Sequence, residues 1–143
     1  MSKKGLNEHI LVLQNDTNTG GYSQWFFFRI SNTRANTTYH FNIINFQKPN
    51  SLYKKGMKVC VYSQKKEEET KIGWHREGKN IQYYKNGIYK MYNERKKNYS
   101  SMSFSYDSAY DNDTVYFANS IPYFYSDLMK ELNEFERDDV KYK

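Results

Sequence analysis

Apolar positions along this chain fall in short runs spaced for strands. Residues 9–14 form one such run, and Asn15-Asp16-Thr17-Asn18-Thr19-Gly20-Gly21, dense in turn formers, breaks it. Residues 24–32 carry Trp25, Phe26, Phe27, Phe28 and Ile30, apolar on both faces, which predicts a central strand. Residues 39–46 read the same way, and residues 57–63 form another β-branched and aromatic run. Further strands are predicted at 81–85, 100–106 and 114–120. The second of these alternates, with Met102, Phe104 and Tyr106 on one side and Ser101, Ser103 and Ser105 on the other. Between the strands, residues 64–71 (QKKEEETK) read as a charged loop. Residues 87–98, with Lys90, Arg95, Lys96 and Lys97, read as a long solvated one.

The pattern changes near the C-terminus. Ser126 is placed to cap a helix with Asp127 in its first turn, and Leu128, Leu132 and Phe135 then share one face. Asp138-Asp139 would end this helix, the one helix the pattern predicts. About seven to nine short strands without interleaved helices and without internal repeats predict an all-β, antiparallel β-sandwich.

Composition refines this picture. The 143 residues suit one domain. Only 38% are hydrophobic, which by itself leans toward disorder, but aromatics reach 18%, which argues for a folded core under a polar surface. The net charge of +6 favours acidic partners without choosing among nucleic acid, anionic membrane and acidic protein tails. A single cysteine excludes an intrachain disulfide framework. The absence of a signal-peptide pattern and of a long apolar run leads to the expectation of a cytosolic protein.

Candidate chemistry is sparse. None of His9, His40 and His75 is followed by Glu three residues later. His75 and Glu77 share a strand face, but two ligands make a poor zinc site. Cys60, within Val59-Cys60-Val61, reads as a small buried hydrophobe. Asp111-Asn112-Asp113 lacks the Gly and bidentate Glu of a calcium loop. The expectation is therefore no catalytic and no metal residues. Trp25, Phe26, Phe28, Phe41 and Phe104 are expected in the core. Among Tyr83, Tyr84, Tyr123 and Tyr125, some are expected to face a partner. Lys54, Lys55, Lys58, Lys65 and Lys66 read first as solvated surface.

Four segments in order carry a resemblance. They are Asn15 to Thr19 with Gln24-Trp25-Phe26-Phe27-Phe28-Arg29; Phe41 to Tyr53 with Gly56-Met57 and Tyr62-Ser63; Gly73-Trp74-His75-Arg76 with Ile81 to Asn86; and Tyr116-Phe117-Ala118 with Pro122 to Leu128. Together they resemble the N-terminal domain of cytosolic carboxypeptidases, zinc metallocarboxypeptidases that trim glutamates from tubulin tails. The residues that match the motifs are Trp25, Ser51, Leu52, Tyr53, Gly56, Met57, Trp74, Arg76, Tyr83, Tyr84 and Pro122. Departures are local: Tyr22-Ser23, Asn119-Ser120-Ile121, and Phe124 where a Thr is usual.

The resemblance implies a sandwich over residues 1–125 and, over 126–143, a helix that opens the zinc carboxypeptidase domain. That domain holds zinc through a His-x-x-Glu pair and a distant His and uses a Glu as general base; this chain has none of these. The implied role is non-catalytic. The domain would support the catalytic domain in cis and wall part of its groove. Tyr123, Tyr125, Leu128, Leu132 and Phe135 would form the seam, and Lys54, Lys55, Lys58, Lys65 and Lys66 would contact acidic tails such as glutamylated tubulin. Zinc would belong to the full-length enzyme only. The location would be cytoplasmic and microtubule-associated, with neither membrane nor nucleic acid as partner. Two other readings are a stand-alone sandwich that binds acidic peptides or glycans, and a Tyr-rich nucleic-acid binder, for which no motif is present.

Overall fold

The computed structural model describes residues 7–19, 21–92 and 94–137. Eight strands form two four-stranded sheets that face each other across an aromatic core. The strands are β1 (Glu8–Leu11), β2 (Phe27–Ser31), β3 (Thr37–Phe46), β4 (Val59–Ser63), β5 (His75–Glu77), β6 (Lys79–Tyr92), β7 (Arg95–Ser108) and β8 (Thr114–Ala118). The first sheet runs β1-β3-β7-β6 and the second β2-β8-β4-β5. The fold is the all-β sandwich that the periodicity predicts.

Pairing is antiparallel except between β1 and β3, which run parallel with Glu8 opposite His40. The β3–β7 ladder shifts register between Ile43 and Phe46. Asn45, in that irregular stretch, accepts from the Leu13 amide at 2.7 Å and donates to the Leu13 carbonyl at 2.9 Å, which holds the chain beyond β1 against β3.

Period-two alternation sends Phe41, Ile43, Met102, Phe104 and Tyr106 inward from the first sheet and Val59, Val61, Val115 and Phe117 inward from the second. Phe41 meets Phe104 and Phe117 at centroid distances of 5.0 Å each, so one ring joins both sheets. Each fully buried aromatic of this kind contributes about 2–3 kcal/mol of burial free energy. Ser101 and Ser105 point to the other side, as the alternation predicts, yet are also buried.

Several expectations need correction. Residues 64–71 are not a loop: α1 (Gln64–Thr70) is a helix of strong helix formers, started by the Ser63 hydroxyl, which accepts from the Lys66 amide. Residues 87–98 are not a loop either, because β6 and β7 continue through them as one long hairpin. Strand β2 is an edge, not a central strand. Trp25 is not core: 44% of it is exposed.

The C-terminal helix exists as α2 (Tyr125–Arg137). Ser126 lies inside its first turn, so it is not the cap. Asp127 reaches back to accept the Phe124 amide at 2.8 Å instead. Asp138 and Asp139, expected to end the helix, lie outside the described residues.

Candidate interdomain surface

The outer face of the second sheet is aromatic. Phe27, on the outer side of β2, stacks on Tyr116 of β8 at 5.9 Å and meets Trp25 and Trp74 at 6.3 Å each. Tyr62 of β4 completes the row, 5.5 Å from Trp74 and 6.0 Å from Tyr116. This row explains why residues 24–32 are apolar on both sides although β2 is an edge. The inner side feeds the sandwich core and the outer side feeds a second aromatic layer.

The segment after β8 is laid across this layer by several anchors. The Asn119 amide donates to the Phe26 carbonyl at 3.1 Å, and the Tyr53 hydroxyl donates to Asn119 Oδ1 at 3.1 Å. Arg76 Nη1 donates to the carbonyls of Lys58 at 2.6 Å and Asn119 at 3.1 Å. Trp25 Nε1 donates to Ser120 Oγ at 3.2 Å. Phe124 then closes edge-on over Phe27 at 5.7 Å.

Several residues that match the family motifs serve this arrangement. Ser51 caps the 3-10 turn Leu52–Lys55. Gly56 ends the turn at φ 91°, in the left-handed region where a side chain would be strained. The turn places Tyr53 in the core, where burial pushes its phenol pKa well above the ordinary value; the Arg76 charge opposes this. Tyr83 is buried with its hydroxyl donating to the Lys48 carbonyl at 2.5 Å, whereas its neighbour Tyr84 is exposed. Met57 packs against the core, Pro122 is half-buried, and Leu52 is exposed.

Above this layer the surface stays open. Phe27, Phe124 and Trp25 are 38%, 48% and 44% exposed despite their mutual contacts. Of the expected seam, Tyr123, Tyr125, Leu128, Leu132 and Phe135 are all exposed, and α2 buries none of its side chains. The Tyr123 hydroxyl donates to Glu131 Oε2 at 2.8 Å, which steadies the entry into α2 and raises the Tyr123 pKa.

The five expected acidic-tail lysines do not stand as one free patch. Lys54 Nζ donates to the Pro49 carbonyl at 2.8 Å, and Lys66 Nζ sits 3.3 Å from Glu77 and 2.9 Å from His75 Nε2. The Lys65 amide donates to Asp113 at 3.1 Å, while Lys55 and Lys58 are exposed. His75 and Glu77 do share a face, at 2.7 Å, and Lys66 completes that cluster in place of a metal ligand. Among the described residues, no group of three or more His, Cys, Asp or Glu side chains gathers as a metal cage, so nothing described fits zinc. Cys60 is buried, and burial raises its pKa above that of a free thiol.

The class of protein is set by an eight-stranded sandwich with an open aromatic outer face. The chain matches the family model for the cytosolic carboxypeptidase N-terminal domain over residues 1–120. It therefore belongs to that family. It is 41% identical over 130 residues to cytosolic carboxypeptidase 2 of Xenopus tropicalis, which covers 91% of this chain and 13% of the relative. It is 37% identical over 137 residues to cytosolic carboxypeptidase 3 of Mus musculus, covering 96% of this chain and 13% of the relative. Cytosolic carboxypeptidase 1 of Xenopus laevis is 36% identical over 134 residues, covering 91% of this chain and 11% of the relative. The chain thus spans only a small part of the length of the relatives it matches.

Proposed function

We propose that this chain is the non-catalytic N-terminal domain of a cytosolic zinc carboxypeptidase that removes glutamates from protein tails such as those of tubulin. In this reading it supports the catalytic domain in cis and walls part of its groove. The catalytic domain covers Phe27, Phe124 and the α2 stripe, and α2 is its first element. The enzyme works in the cytoplasm, at microtubules, with zinc supplied by residues of the catalytic domain. The observation that carries this reading is the open aromatic face continued by an α2 that has no fully buried side chain. Neighbouring exposed aromatic and apolar side chains favour a partner on this face.

The test is to mix this chain with a separately expressed catalytic domain of a family member. A complex should form, and Phe27→Glu with Leu132→Glu should weaken it at least tenfold. A catalytic domain that is stable, active on glutamylated peptide and indifferent to this chain would overturn the reading.

One observation favours a second reading as a glycan-binding sandwich. A groove of about 440 Å³ on the outer face of the first sheet is lined by Glu8, His40, Asn42, Gln82, Ser103 and Ser105. Asn42 Oδ1 is buried there without a hydrogen-bond partner. Binding of an oligosaccharide that Asn42→Ala abolishes would support it.

A further inference from the structure

Strand β1 is an undefended edge. The edge strands are β1 and β6 of the first sheet and β2 and β5 of the second. All but β1 carry cations: Lys79, Lys85 and Lys90 on β6, Arg29 on β2 and Arg76 on β5. Charges of this kind deter pairing with another chain. From Glu8 to Leu13 there is no Lys, Arg or Pro. Ile10 and Val12 are 71% and 68% exposed there, more than any other described Ile, Leu, Val or Met.

Backbone parity makes this edge usable. The His40 amide donates to the Asn7 carbonyl, and Glu8 lies opposite His40. In a parallel ladder this turns the N–H and C=O groups of Asn7, His9 and Leu11 toward β3 and those of Glu8 and Ile10 away from it. Asn45 holds both backbone groups of Leu13 and carries the same alternation past the end of β1, so those of Val12 also face outward. Glu8, Ile10 and Val12 therefore present a row of backbone donors and acceptors on a side where β1 has no neighbouring strand.

We propose that two copies of this chain pair β1 against β1, antiparallel, about a two-fold axis at Ile10. This register uses all three outward residues: Ile10 meets Ile10 of the second copy and Glu8 meets Val12, each facing pair exchanging both backbone hydrogen bonds. It sets an apolar pair at the axis and keeps the two Glu8 carboxylates apart. The edge of each copy is consumed, so the assembly closes as a dimer. A foreign strand meets the same backbone groups without this self-match, which favours a second copy as the occupant. The edge belongs to the first sheet and the open aromatic face to the second, so the inference does not depend on the supporting role proposed above.

The test is sedimentation equilibrium of the full chain from micromolar to millimolar concentration. A dimer and nothing larger should form. Ile10→Lys sets like charges face to face at the axis and should weaken the dimer at least tenfold. Val12→Lys replaces a similarly exposed aliphatic side chain, but its cation lies opposite Glu8 of the second copy, so affinity should stay within about threefold of the wild type. Adding Glu8→Lys to Val12→Lys should then break the dimer. These side chains face water, and urea unfolding should find each variant folded. A monomer throughout, species larger than a dimer, equal losses from Ile10→Lys and Val12→Lys, or a dimer broken by Phe27→Glu and untouched by Ile10→Lys would each overturn the proposal.

Discussion

The Ser63 hydroxyl donates to the Asp113 carboxylate at 2.6 Å, across 50 positions of chain. The same carboxylate accepts the Lys65 amide, and Ser63 Oγ in turn accepts the Lys66 amide. One buried acid from the approach to β8 therefore helps start helix α1, and its own amide is held by Thr33 Oγ1 at 3.2 Å. Asp113→Ala strips two donors of their acceptor in a dry site and should cost about 2–3 kcal/mol in urea unfolding. Asp113→Asn keeps one acceptor oxygen and should cost less. Equal losses for both variants would mean that packing, not capping, holds Asp113 in place.

Alkaline pH should destabilise the folded chain through its buried phenols. Burial holds the phenols of Tyr53 and Tyr106 protonated well above their ordinary pKa. The folded chain then binds more protons than the unfolded chain above about pH 10. The stability from these groups is thus fully present below that pH and lost as pH rises through it, by about 1.4 kcal/mol per pH unit for each tyrosine. Unfolding titrations on either side of pH 10 should show this slope. Tyr53→Phe should make it shallower while costing about 1 kcal/mol at neutral pH for the lost bond to Asn119. A stability indifferent to pH between 9 and 11, on the order of the phenol range, would refute the argument.

Arg76 joins the 3-10 turn region to the segment after β8 through two carbonyls, those of Lys58 and Asn119. The guanidinium is largely solvated, so Arg76→Ala should cost only about 1–2 kcal/mol. Its clearer mark should be optical. Releasing Asn119 frees Ser120, the hydrogen-bond partner of Trp25 Nε1, so tryptophan emission should shift to the red. One nitrogen makes both bonds, so Arg76→Lys keeps a charged donor on a shorter stem and should fall between Ala and Arg. Unchanged emission in both variants would show that the segment is held without Arg76.

Much of the sandwich was legible because its inner faces obey alternation. Met102, Phe104 and Tyr106 lie on one side of β7, and that side is the core. The failures have identifiable causes. The run QKKEEETK reads as a loop by charge, yet Gln, Lys and Glu are strong helix formers and Ser63 stands at the cap position, a local signal for the helix. Its second capping partner, Asp113, was beyond any local reading. The hairpin through residues 87–98 depends on cross-strand pairs such as Tyr89 with Asn98, which leave no period on one strand alone. Residues 24–32 misled because two-sided apolarity signals two apolar neighbours, and the outer one here is a layer of side chains from β4, β8 and Phe124 instead of another sheet. The surface lysines were visible as charge, but no sequence pattern shows that Lys66 is already matched by Glu77.

The helix α2 offers the sharpest test of the proposed seam. It runs 13 residues, about 20 Å, and buries no side chain. A helix of that length is marginal in water without tertiary packing. Its side-chain support includes Asp127 at the entry, the Tyr123–Glu131 bond, and a long Lys130–Glu134 pair at 4.0 Å. Amide hydrogen exchange on the isolated chain should therefore release residues 129–135 orders of magnitude faster than the β3 and β7 amides around Phe41 and Phe104. Leu128→Glu with Leu132→Glu should change the unfolding free energy of the chain by less than about 0.5 kcal/mol, because both positions face water. Adding a catalytic domain of the family should slow exchange across α2 and should fail to do so with the double variant. Protection of α2 equal to that of β3 in the isolated chain would mean that the helix belongs to the sandwich, and the seam would then have to lie elsewhere.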